Sequence, residues 1–369
     1  MINRILSLIW KELLAVLRDR RSRISILLPP LIQLLIFTEA ATLDVKNVPI
    51  GILNRDNGEQ GFELTQRFHG TPFFNRIVYL KGVEEIGPFI DNQKGVMVVS
   101  IDEQFSRNLD HNQSTAIQVI LDGRKSNTAQ ILSGYTISII EQFNKDYAFK
   151  AGLKPPNTQI FPRFWYNPNL LYYWYNIPSL VATLSMLACL VVTTQAIARE
   201  RELGTFDQLL VSPLTPFEIL MGKALPGVLI GMLEGAFLLA MGIWGFQVPF
   251  TGSLALFFLS QFIFVTAISG VGLFISSLSA TQQQAMLGTF VFMLPSVLLA
   301  GFATPIENMP SWLQPFTYII PLRYMLVISK GIFLKAMPAD IVFHNIWPMI
   351  LIALFTLASA GFFFRKRLQ

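Results

Sequence analysis

The sequence predicts a polytopic α-helical membrane protein: six transmembrane helices, with an α/β domain inserted between the first and the second. Three observations carry this. Of 369 residues, 52% are hydrophobic and only 14% charged, with a mean hydropathy of +0.49. Soluble domains carry about 25% charged residues, so this much apolar surface exceeds what one soluble core absorbs. Six runs approach the roughly 20 residues that a helix needs to cross a hydrocarbon core of about 30 Å. Between the first two runs the composition changes, with charges, Asn and Gly returning over residues 44–168.

Residues 1–23 read as an interfacial amphipathic helix. Ile5, Leu6, Ile9, Leu13, Val16 and Leu17 recur at three and four, among Arg4, Lys11, Arg18, Arg20, Arg21 and Arg23. The basic residues place this end in the cytoplasm. A cleaved signal peptide is disfavoured by the long region ahead of the apolar run and by the lack of a small-x-small cleavage site. Residues 24–43 form the first span, with Pro29-Pro30 as a kink or late start and Glu39 near its outer end.

Across residues 44–168, short β-rich runs alternate with helical ones. Val48 to Leu53, Arg76 to Leu80, Val96 to Ile101 and Ala116 to Leu121 are followed by Gly58 to Phe68, Val83 to Asn92, Glu103 to Leu109 and Thr128 to Lys150. The alternation predicts a mixed sheet covered by helices, on the exterior side.

The second span covers 172–197, opening on an aromatic belt, Tyr172, Tyr173, Trp174 and Tyr175, suited to the outer interface. Residues 198–223 are polar between two apolar runs and therefore lie in water or at the headgroups, with Arg199, Arg201 and Lys223 indicating the cytoplasmic side. Leu203, Phe206, Leu209 and Leu210 fall at helical spacing, which predicts a short helix along the membrane surface. From the residues alone, this helix fits a docking element for a cytoplasmic protein and an ordinary loop helix equally well. Spans three to five cover 224–246, 254–278 and 285–303. Gly270, Gly272, Ser269 and Ser276 suit close helix approach, and Pro295 suits a kink. Residues 304–338 are too polar and proline-broken for a span, yet too apolar for a free loop; broken helices at membrane depth require protein or a cavity around them. Span six covers 346–364, and the tail 365–369 carries Arg365-Lys366-Arg367, which puts both termini inside.

Several chemistries are disfavoured. The net charge of +5 sits beside apolar spans, where topology explains it without nucleic acid. His69, His111 and His344 have no metal-ligand spacing, and the single Cys189 cannot form an intrachain disulfide. Gly222-Lys223 lacks the upstream glycine and the following Ser or Thr of a phosphate loop, so this chain does not hold ATP in that way. Glu234, a carboxylate well inside a span, is a candidate for contact with substrate or protons, against a structural hydrogen bond to a neighbouring helix.

Two stretches bear a family resemblance. Arg199-Glu200-Arg201-Glu202-Leu203-Gly204-Thr205, with Gln208-Leu209-Leu210 and Ser212-Pro213, resembles the cytoplasmic coupling segment of ABC-2 type transporter permeases, the membrane subunits of ATP-driven exporters. Pro305-Ile306-Glu307-Asn308-Met309-Pro310, Trp312-Leu313 and Pro321-Leu322-Arg323-Tyr324 resemble the re-entrant exterior helices after span five in that family. Trp165-Tyr166-Asn167-Pro168 and Ile177-Pro178-Ser179-Leu180 are similar to its entry into span two, with Ser179 where Gly is usual. The resemblance covers nearly the whole chain and implies the six-helix fold of the type V exporters. It implies that Arg199, Glu200, Arg201, Glu202, Gly204, Thr205, Gln208 and Pro213 couple to an ATP-binding subunit. Pro305, Met309, Pro310, Trp312, Pro321, Arg323 and Tyr324 would form the re-entrant motif. ATP and Mg would sit on the partner, with no cofactor on this chain. A second permease subunit, identical or paralogous, would complete the path in a bacterial inner membrane. A periplasmic adaptor and an outer-membrane channel are further expected partners. The large exterior domain favours small amphipathic or drug-like cargo over lipid or polysaccharide. A membrane receptor sensing through residues 44–168 is the competing class, and an intramembrane enzyme would need clustered catalytic residues that the spans lack.

Overall fold

The computed structural model describes residues 2–18, 20–39, 48–71, 73–74, 76–111, 113–152, 166–167, 171–206, 208 and 211–366. The chain forms two compact units, one of residues 42–163 and one that joins residues 1–41 to 164–369.

In the smaller unit, β1 (Pro49–Asn54), β2 (Arg76–Tyr79), β3 (Met97–Ile101) and β4 (Gln118–Leu121) form one sheet in the order β2-β1-β3-β4. β1 runs parallel to β2 and β3, and β4 returns antiparallel, with Ile52 opposite Val99 and Val98 opposite Ile120. Parallel strands bury both faces, and this is how the side chains divide. Ile50, Ile52, Met97 and Val99 pack with Leu64, Phe68, Phe105, Leu132 and Phe143 on one face. Leu53 and Val98 pack with Ile86 and Phe89 on the other. The covering helices are α3 (Glu59–His69), α4 (Ile86–Asp91), α5 (Phe105–Asp110) and α6 (Ser126–Lys150). Arg67 ties α3 to α6, bonding Glu63 at 2.6 Å and Asp146 at 2.8 Å, while Lys150 reaches Glu63 at 2.8 Å.

The larger unit is helical: α1 (Ile2–Arg18), α2 (Arg20–Glu39), α7 (Tyr172–Glu202), α8 (Pro216–Ala240, continued by a π turn over Met241–Gly245), α9 (Leu254–Leu278), α10 (Gln282–Leu299), α11 (Pro321–Lys335) and α12 (Ala339–Lys366). Among the described residues, four helices are long and apolar enough to cross a membrane: Tyr172–Glu202, Pro216–Gly245, Leu254–Leu278 and Ala339–Phe364. α2 and α10 are helical where two further spans are expected, without meeting that measure. α2 opens on Arg20, Arg21 and Arg23, and α10 has 18 residues that open on three glutamines.

α7 is the central helix, and its middle is buried from Asn176 to Met186. Small residues let its neighbours approach. Thr193 fills notches left by Gly227 on α8 and Gly272 on α9, where an added Cβ would collide with it. Ser329 of α11 donates to the Pro178 carbonyl of α7 at 2.6 Å. Thr356 of α12 donates to the Ala267 carbonyl of α9 at 3.2 Å.

Two expected boundaries move. α7 continues past 197 to Glu202, so Arg199–Glu202 form its last turn rather than opening a surface helix. α8 starts at Pro216 rather than 224, because Thr215 and Glu218 form a reciprocal capping box with Pro216 at the first helical position. Ile219 and Leu220 are therefore buried against Ala196, Leu273 and Phe364. Leu203 is 63% exposed, and Phe206 packs edge-on against Phe364. Leu209, Leu210, Trp165, Pro168, residues 40–43 and 367–369, and the side chains of Val16, Leu17, Arg20, Arg21, Glu39, Arg365 and Lys366 lie outside the described residues.

Candidate functional site: a charged joint between two spans

The polar segment expected between two apolar runs is a joint at which α1, α7, α8, α9 and α10 meet. Its centre is ionic. Lys223, on α8, bonds Glu12 of α1 at 2.7 Å and Glu200 of α7 at 3.0 Å, with its side chain only 1% exposed. Lys11 of α1 also reaches Glu200 at 3.0 Å. Two lysines thus face two glutamates. A buried charge persists only when paired and hydrogen-bonded, and here each bond also crosses between helices. Lys223, read from sequence as indicating the cytoplasmic side, is interior to the protein, because the early start of α8 turns it towards α1 and α7. Leu8 packs where a Cβ on Gly222 would collide with it, so α1 lies close on α8.

The end of α7 is sharply defined. Gly204 adopts φ +70°, a left-handed position that suits glycine at a helix C-terminus. Thr205 then folds back, its N–H on the Glu200 carbonyl at 2.9 Å and its hydroxyl on the Glu200 carboxylate. Arg201 donates to the carbonyls of Ser277 at 2.8 Å and Ser279 at 2.9 Å, satisfying the end of α9, and lies over the Phe206 ring at 4.9 Å. Glu202 accepts from the Gln282 backbone N–H at 2.8 Å, where a carboxylate suits the positive end of α10. Arg4 donates to the Pro213 carbonyl at 2.9 Å, so α1 also holds the irregular exit of the joint.

The eight residues named for coupling therefore divide. Glu200, Arg201 and Thr205 face inward and hold the joint together, and Arg199 is half-buried. Glu202, Gly204, Gln208 and Pro213 are exposed, beside the apolar Leu203, Val211 (86% exposed) and Phe217. Sequence reasoning missed Glu12 and Lys11 as partners. Their signal was the pairing of opposite charges on one amphipathic helix whose other charges are all basic.

Two further candidates stand apart. Glu234 is buried on α8. Beside it, Gly235 leaves room for Gln261 of α9, whose fully buried amide has no hydrogen-bond partner at either its nitrogen or its oxygen among the described residues. Gln261 was not singled out by sequence, although it is the lone amide in α9. In the re-entrant motif, Pro305, Met309 and Pro310 bound short 3-10 turns, and Trp312 is 69% exposed. Pro321, Arg323 and Tyr324 open α11. Arg323 donates to the Thr317 hydroxyl and lies 4.0 Å over the Tyr318 ring, and the Tyr324 hydroxyl donates to the Tyr318 carbonyl at 2.9 Å. The motif's two halves are thus an exposed rim and a packed helix start.

The model of the ABC-2 family transporter protein matches residues 20–362. The chain belongs to the ABC-2 transporter family. It is 45% identical, over the full length of both chains, to the probable multidrug ABC transporter permease YbhR of Escherichia coli K12. It is 30% identical to the probable multidrug ABC transporter permease YbhS of the same organism, over 98% of this chain and 94% of that one. It is 29% identical to the inner membrane transport permease YhhJ, over 86% and 83%. As an ABC-2 permease the chain is a non-catalytic membrane subunit of an ABC transporter, and ATP hydrolysis belongs to a separate ATP-binding subunit.

Proposed function

We propose that this ABC-2 permease exports a small amphipathic or drug-like compound across a bacterial inner membrane. α2 and α10 complete six spans, both termini lie in the cytoplasm, and the α/β unit lies on the periplasmic side. Two permease subunits, identical or paralogous, enclose the path. The relatives named as multidrug permeases support the cargo class, and the exterior domain suits a periplasmic adaptor with an outer-membrane channel beyond it.

The observation that carries the mechanism is the joint's split into a water-facing rim and a buried ionic centre. The ATP-binding subunit, holding ATP and Mg, docks on Glu202, Leu203, Gly204, Gln208, Val211 and Pro213. Its closure displaces the tip of α7. The Glu200–Lys223–Glu12 bonds pass that displacement to α8 and α1, and Arg201 and Glu202 pass it to α9 and α10. The cargo path then changes the side to which it opens. Co-purification of the ATP-binding subunit, followed by cargo-stimulated ATP hydrolysis in liposomes, tests this reading. Repeated isolation of the permease without any ATPase would overturn it.

A further inference from the structure

A cleft of about 540 Å³ lies between the start of α11 and the first half of α12. One end is polar, with Arg323, His344 and Asn345; the other is aromatic and aliphatic, with Trp347, Leu351 and Ile352. Arg323 is only half-buried, and its guanidinium is held by a hydroxyl and a ring, Thr317 and Tyr318, rather than by a carboxylate. Among the described residues no acidic side chain lines the cleft; Asp340, one turn before His344 on α12, lies outside it. α11 carries Arg323, Lys330 and Lys335 and no acid, and Lys330 lies 3.8 Å over the Tyr175 ring. The charge is therefore left for something outside the protein.

Depth identifies the occupant. The apolar part of α12 is 26 residues, about 39 Å long, enough to cross the bilayer with some tilt. His344 and Asn345 lie in its second turn, where the excess of helix over a hydrocarbon core of about 30 Å sets the headgroup boundary, and Trp347 lies about one turn deeper, as interfacial tryptophans do. Below them Leu351, Leu354 and Phe355 are exposed, a continuous apolar track from the cleft towards the bilayer centre.

We infer that this cleft holds an anionic phospholipid, its phosphate on Arg323 and His344 and its acyl chains along Leu351, Leu354 and Phe355. Arginine suits a phosphate through its planar fork of donors. The site needs α12 to span the bilayer and does not depend on the docking of the ATPase.

The full-length permease in nanodiscs, given photoreactive phosphatidylglycerol or photoreactive phosphatidylcholine, tests this. Both lipids offer a phosphate, but phosphatidylcholine also brings a quaternary ammonium beside Arg323 in a helix that carries three cations and no acid, so phosphatidylglycerol is expected to label the peptide around Trp347 and Leu351 about tenfold more. Arg323→Gln removes that preference and Arg323→Lys keeps most of it. Should Arg323→Gln fail to fold, His344→Gln, on an exposed residue, still weakens the preference severalfold. Equal labelling by the two lipids overturns the inference. So does displacement of the label by soluble glycerol phosphate, which would mean a site for a water-soluble anion. So does a chain-to-chain cross-link in place of lipid, which would seat a second copy in the cleft.

Discussion

Glu200 and Lys223 stand on different helices and meet at 3.0 Å, with the lysine side chain sealed from water and shared with Glu12 of a third helix. The bond joins the end of α7 to the first turns of α8, across the segment that links them. Such a pair resists removal of one partner far more than replacement of the whole group, because a lone buried charge is what costs most.

Lys223→Ala should therefore destabilise the helical unit by about 3–5 kcal/mol, taking from Glu12 its ion-pair partner among the described residues and leaving Glu200 with Lys11 alone. Lys223→Met combined with Glu200→Gln and Glu12→Gln should recover much of that loss. Thermal unfolding in detergent, followed by tryptophan fluorescence, checks both. A single mutant as stable as wild type would mean that Lys223 is hydrated.

The exposed rim should behave oppositely. Val211→Asp and Leu203→Asp place charge on side chains that are 86% and 63% exposed and pack little against the protein, so stability should shift by less than about 0.5 kcal/mol. Capture of the ATP-binding subunit should fall about tenfold or more, since apolar interface residues at a docking centre carry the binding energy. Quantitative pull-down from solubilised membranes measures this, and unchanged capture moves the docking surface elsewhere. The Glu202 and Gly204 double substitution adds loss of the α10 contact and of the helix stop, and should lower ATP-driven transport while insertion persists.

Gln261→Met offers a test of the polar pair within the spans. A buried amide without partners costs roughly 1–3 kcal/mol, so an apolar residue of similar volume should raise the melting temperature. If export falls as stability rises, the amide serves cargo rather than packing. Glu234→Gln, assayed for transport across a pH series, then separates proton contact from substrate contact.

Much of this was legible before any coordinates. The strand runs beginning at Val48 and Val96 overlap β1 and β3, because central strands buried on both faces are apolar without interruption, and those beginning at Arg76 and Ala116 overlap the partly exposed edge strands β2 and β4. Leu254–Leu278 coincides with its expected span, since Ser253 caps its first turn and Ser279 lies just past its end. The joint was misread where a local pattern met a tertiary partner. The ionic role of Lys223 was not legible because its carboxylate partners, Glu12 and Glu200, are distant in sequence. The helix start at Pro216 was legible in Thr215-Pro216-Phe217-Glu218, the spacing of a capping box, and was overlooked because the segment was divided at the apolar run from 224.

The smaller unit has its own acid limit. Hydrogen bonds from Lys150, then Arg67, hold the Glu63 carboxyl below its ordinary range, against a smaller opposing effect of burial. A carboxyl lowered by folding contributes stability above its unfolded pKa and loses it as pH falls through the folded one. Hydrogen exchange at α3 and α6 of the full chain should therefore rise on acidification. Glu63→Gln should exchange faster at neutral pH and respond less to acid. An unchanged acid response would assign it to another group.

Thr193 occupies the hollows of Gly227 and Gly272 at once. Three hydrophobic rods keyed together by one side chain have no freedom to slip past each other lengthwise. Whatever gating stroke drives the cycle must carry α7, α8 and α9 as a single block, with the relative sliding confined to the helices around them.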